Sequence, residues 1–81
     1  MRRIRGTYQE IDLTYGYIYT LVIGEEGEWA SDFYFGANEY QSGYVVGNNL
    51  YKEDGSFHGK VEGDMVLIYY DGEVGYRLSK E

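Results

Sequence analysis

The chain has 81 residues, with 14 acidic and 7 basic side chains, a formal net charge of -7, 11 Tyr, 12 Gly, and neither Pro nor Cys. A chain this short makes a single domain over residues 1–81 and hides only about 60% of its unfolded surface on folding. The absence of Cys excludes disulfide frameworks and thiolate metal sites, and the longest apolar run, residues 65–70, is far short of the roughly 20 that cross a bilayer as a helix.

In chain order, residues 4–11 read as a first strand. Residues 15–24 form the clearest one, alternating with period two. One of its faces carries Tyr15, Tyr17, Tyr19, Leu21 and Ile23, and the other Ile18, Thr20 and Val22. With Ile18 and Val22 filling the interior, the three Tyr are expected outside. Glu25-Glu26-Gly27 makes a hairpin turn. Residues 28–36 return as a third strand, with Phe33 and Phe35 inward and Tyr34 outward. Residues 37–60 read as a long mixed connection, with one helical turn at Ala37-Asn38-Glu39-Tyr40 and a small hairpin around Gly47-Asn48-Asn49. Residues 61–70 are a fourth strand, Asp71-Gly72 a tight turn, and residues 73–78 a fifth. No stretch of ten or more residues has helical periodicity. The expectation is an all-β fold, a small five-stranded barrel with a long connection between strands 3 and 4, closed so that no edge is left unpaired.

Charge is unevenly placed. Residues 6–51 contain no Lys or Arg but hold Glu10, Asp12, Glu25, Glu26, Glu28, Asp32 and Glu39. Clustered cations supply most of the affinity for a phosphate backbone, and this span lacks them. An acidic surface instead speeds and selects encounters with a basic partner, and solvation alone is the plainer explanation.

Three blocks of residues resemble the cold-shock domain, a five-stranded OB-fold family. Tyr15-Gly16-Tyr17-Ile18 is similar to the family's Lys-Gly-Phe-Gly-Phe-Ile motif on the second strand. Asp32-Phe33-Tyr34-Phe35-Gly36-Ala37 resembles Asp-Val-Phe-Val-His-Phe on the third. Glu62-Gly63-Asp64-Met65-Val66 resembles the entry to the fourth, followed by Gly72 and Gly75. The resemblance covers about half the chain and implies an OB-like barrel whose base-stacking aromatics fall on Tyr15, Tyr17 and Tyr34. The family's cations do not carry over: Leu13 stands at the Lys of the second-strand motif and Gly36 at the His of the third. Gln9, Glu10 and Ile11 occupy the place of its Lys-Trp-Phe.

The candidate binding face is therefore Tyr15, Tyr17, Tyr19 and Tyr34 with Asp32, Glu25, Glu26 and Glu28. Tyr-rich patches with a polar rim suit protein contacts, and cross-strand packing is the plainer use of the same rings. No catalytic, cofactor or metal site is expected. His58, the only His, lies in the Gly-rich stretch 55–59 and reads as a solvated loop residue. Glu25, Glu26, Glu28 and Asp32 lack EF-hand spacing. The expected function is a non-enzymatic module binding a basic protein partner, in a sharper version a nucleic-acid mimic that inhibits a nuclease or nucleic-acid-binding protein, as small phage proteins do. Single-stranded RNA or DNA binding is the alternative that the resemblance implies, and a designed barrel without activity is a third. Exposed apolar positions on the fourth strand would also allow a homodimer. With no apolar leader or membrane span in sight, the expected location is cytoplasmic, in the host if the chain is viral.

Overall fold

Among the described residues, eight antiparallel strands follow one another around a closed barrel, each bonded to the next in sequence. They are β1 (Gly6–Asp12), β2 (Tyr17–Ile23), β3 (Glu28–Tyr34), β4 (Asn38–Val46), β5 (Asn49–Lys52), β6 (Phe57–Glu62), β7 (Met65–Tyr70) and β8 (Glu73–Lys80). This is a computed structural model describing residues 4–81; Arg2 and Arg3 lie outside the described residues. β8 returns to β1 through Tyr8↔Lys80 and Gln9↔Ser79, and the Glu81 N–H donates to the Thr7 carbonyl at 2.8 Å.

An all-β closed barrel is thus present, but with eight strands in a simple meander instead of five. The three additional strands come from residues 37–70. The expected helical turn at residues 37–40 is the start of β4, and the small hairpin around Gly47 is the β4–β5 turn. The expected single strand over residues 61–70 is a hairpin. Glu62 pairs with Met65 across Gly63-Asp64, and Gly63, at φ 61°, supplies the left-handed first position of a two-residue loop. Asp71 (φ 56°) and Gly72 (φ 82°) form the mirror-type turn that their sequence predicts.

The inward and outward faces of β2 are the reverse of the expectation. Tyr19, Leu21 and Ile23 are buried, whereas Ile18 and Val22 are 40% and 45% exposed. Strand side chains alternate strictly, so one choice of parity decides every position. Eight strands enclose a lumen just wide enough for side chains to fill, and the Tyr8, Tyr19 and Trp29 rings occupy it. The lumen's lower half is sealed by Tyr8, Leu21, Ile23, Trp29, Leu50, Val61, Val66 and Leu78. Its upper half, under the β1–β2, β3–β4, β5–β6 and β7–β8 turns, holds packed aromatic rings with two recesses among them, and that end carries the site.

Candidate functional site

Asp12 ends β1 and starts the turn that aims Tyr15 over the upper mouth. Its Oδ1 accepts the Tyr15 N–H at 2.9 Å, and its carbonyl accepts the Gly16 N–H at 2.8 Å. Tyr15, Phe35 and Tyr70, each on or beside an upper turn, form a rim of largely exposed rings. Beneath them Tyr17, Phe33 and Tyr76 form a floor, with centroids 5.4–5.5 Å apart and planes tilted by 41° to 86°. Such tilted packing suits the ring quadrupoles. Rim and floor enclose a cleft of about 490 Å³, with Asp12 and Gly75 completing the wall. The lining is almost wholly aromatic apart from the Asp12 carboxylate.

A second carboxylate lies behind the floor. Glu10 faces Tyr19 across β1 and β2, and its Oε1 is buried without a hydrogen-bond partner. Burial, followed by contact with Glu10 and the charges of Glu10 and Asp12, pushes the Tyr17 hydroxyl up to about 12. The phenol therefore stays protonated at neutral pH. An aromatic cleft edged by the Asp12 carboxylate suits a cation, which gains from ring faces and from charge together.

Beside the cleft, and sharing Phe33, Tyr70 and Tyr76 with it, a chamber of about 270 Å³ enters the lumen on the β3–β7 side. Its walls are polar: Tyr19, Ser31, Glu39, Gln41, Lys52 and His58. His58 is only 5% exposed, which corrects the expectation of a solvated loop residue. Its ring stacks on Trp29 with centroids 4.6 Å apart and planes within 1°, and its Nε2 lies 3.5 Å from the Tyr19 hydroxyl. Burial, then the Lys52 charge, lowers its pKa to about 4, so the ring is neutral at pH 7. The Tyr19 hydroxyl is pushed up to about 12 by burial and by Tyr76, with Glu39 adding to the rise and Ser31 opposing it.

The expected binding residues do not share one face. Tyr15 and Tyr17 belong to the cleft, Tyr19 is in the core, and Tyr34 is on the outer wall. Asp32 is half-buried, with both carboxylate oxygens accepting the Asn38 side-chain N–H groups at 3.0 Å. Glu25, Glu26 and Glu28 sit around the β2–β3 turn at the opposite end, where Glu25 pairs with Arg5. Among the described residues no three His, Cys, Asp or Glu side chains gather closely enough to hold a metal ion. The sequence reading missed Asp12, Phe35, Tyr70 and Tyr76 at the cleft and the whole chamber. Their shared signal is position: the rim residues lie beside Gly16, Gly36 and Gly72, which all have positive φ. No family model, curated protein or solved structure matches the chain.

Proposed function

We propose that the protein is a non-enzymatic binding module that captures a basic protein partner, seating a Lys or Arg side chain in the aromatic cleft at the upper end of the barrel. The cleft carries this reading: six aromatic rings and the Asp12 carboxylate converge on one concavity. The basic-free span of residues 6–51 supports it, because an acidic molecule gathers basic partners faster than neutral ones. A nuclease or another nucleic-acid-binding protein, whose own surface is basic, is the partner class this favours.

Calorimetric titration with an Arg-rich peptide at near-physiological salt tests it. Tyr15→Ser with Tyr70→Ser removes two rim rings and leaves the net charge unchanged. Affinity is expected to fall about tenfold or more, the scale of losing two hot-spot contacts. Reversing Glu25, Glu26 and Glu28 to Lys should act chiefly on the association rate, since these residues lie at the far end. Undiminished binding by the rim variant would place capture elsewhere and sink the proposal.

Single-stranded nucleic acid is the second reading, favoured by one observation. Tyr44, Tyr51, Phe57 and Tyr69 form an aromatic ladder across β4 to β7 on the outer wall, with successive centroids 5.3–6.0 Å apart. Stacking on such rings contributes on the order of 1–3 kcal/mol per base. Micromolar binding of oligo-dT, lost on Tyr44→Ala with Phe57→Ala, would favour it over the first.

A further inference from the structure

The chamber is lined by two opposite charges, Lys52 and Glu39, that are not bridged to each other. Lys52 is half-buried in an acidic protein, yet among the described residues its ammonium makes no ion pair. Glu39 stands at the chamber's entrance and likewise pairs with no described cation. Both residues line the chamber that also holds the Tyr19 hydroxyl and the His58 ring, whose polar atoms are 3.5 Å apart. Ser31 and Gln41 line the same chamber. Ser31 and His58 are at least nine-tenths buried. Both meet the Tyr19 hydroxyl, and the set borders the open space of the chamber.

We propose that the chamber binds a small zwitterion of the α-amino-acid class. The ligand's carboxylate meets Lys52 and its ammonium meets Glu39, while Ser31 and Gln41 hydrogen-bond the polar head. Its side chain points to Phe33, Tyr70 and Tyr76, the rings that the chamber shares with the cleft. The charge count selects this class. A simple anion would meet Lys52 but also Glu39 and the negative field of the whole molecule. A simple cation would meet Lys52 at close range in a site of low dielectric, whereas a zwitterion satisfies both. The volume of about 270 Å³ suits a molecule of this size and is small for a larger cofactor. This site does not depend on peptide capture at the rim, since neither Lys52 nor Glu39 lines the cleft.

Trp29, stacked on the chamber wall residue His58, is the built-in reporter. L-phenylalanine titrated into the full chain is expected to change Trp29 emission saturably, at micromolar to millimolar concentrations. L-phenylalanine amide, which lacks the carboxylate, and N-acetyl-L-phenylalanine, which lacks the ammonium, should each bind about tenfold more weakly or worse. Lys52→Met and Glu39→Gln should each reduce L-phenylalanine affinity to a similar degree, with the far-UV spectrum confirming the fold. Calorimetry guards against a silent fluorophore. The proposal is overturned if calorimetry and fluorescence both show no L-phenylalanine binding at about 10 mM. It is also overturned if the amide binds as well as the zwitterion, which marks a plain cation site, or if the N-acetyl form does, which marks a plain carboxylate site. The blocked ligands test the charges even where a variant fails to fold.

Discussion

Gly43→Ala is expected to destabilise the barrel by about 2–5 kcal/mol, the combined scale of overpacking and of a lost buried hydrogen bond. Gly43 lies in the middle of β4, opposite Trp29 on one side and Lys52 on the other. A Cβ there would stand 1.8 Å from the Tyr51 carbonyl oxygen and 2.7 Å from the Trp29 Nε1. These two atoms are bonded to each other, since the Trp29 indole N–H donates to the Tyr51 carbonyl at 2.9 Å. The methyl group would therefore crowd both ends of that bond at once. Either β5 moves outward, or the indole leaves its place and its buried N–H goes unpaired. A domain of this length has a total stability of only about 4–12 kcal/mol, so the variant should be near its unfolding limit. Gly47→Ala is the control: its φ of 63° makes alanine strained, but nothing lies within 4 Å of the new Cβ. It should cost about 1 kcal/mol. Denaturant titration followed by Trp29 emission measures both, and a Gly43→Ala midpoint within error of the Gly47→Ala midpoint would refute the account.

The same glycine explains why β4 is hard to read from the sequence. A half-buried strand normally announces itself by apolar residues on its inner face. The inner face of β4 carries Glu39, Gln41 and Gly43, and its outer face carries Tyr40 and Tyr44. The inner positions are polar because they line the chamber, and small where Trp29 from β3 already fills the space. The alternation is present with its sign inverted. Three strands hide there for reasons tied to the site. On β2 both faces are apolar, so periodicity establishes a strand without choosing the side, and that choice depends on how wide the lumen is. The charge pattern was fully visible, but its grouping was not. Glu25 follows Tyr17 by eight residues of mostly extended chain, which at about 3.3 Å each is the height of the barrel. Closeness in sequence therefore places these two at opposite ends. The turn residues, by contrast, were legible wherever Gly or Asp-Gly marked a left-handed position.

Stability should fall on acidification from about pH 6.5 to about pH 4 by roughly 3 kcal/mol more in the natural chain than in His58→Phe. In the folded barrel His58 titrates near 4, because burial and then the Lys52 charge disfavour the imidazolium. In the unfolded chain it titrates near its ordinary 6.5. Within that window the unfolded state binds the proton and the folded state does not, so each step down in pH favours unfolding. The contribution is fully present above 6.5 and is gone once pH has fallen through 4. Phenylalanine can keep the flat stack on Trp29 without titrating, and the carboxylates common to both chains cancel in the difference. Denaturation free energies at pH 7.5, 5.5 and 4 for both proteins give the comparison directly. A loss that runs parallel in the two chains would mean that His58 takes up its proton without leaving the fold. The stacked, buried ring would then not be the one present in solution. A divergent loss ties acid sensitivity to the chamber wall. It also fixes His58 there as a neutral hydrogen-bonding group at physiological pH, leaving Lys52 as the cation among the residues that line the chamber.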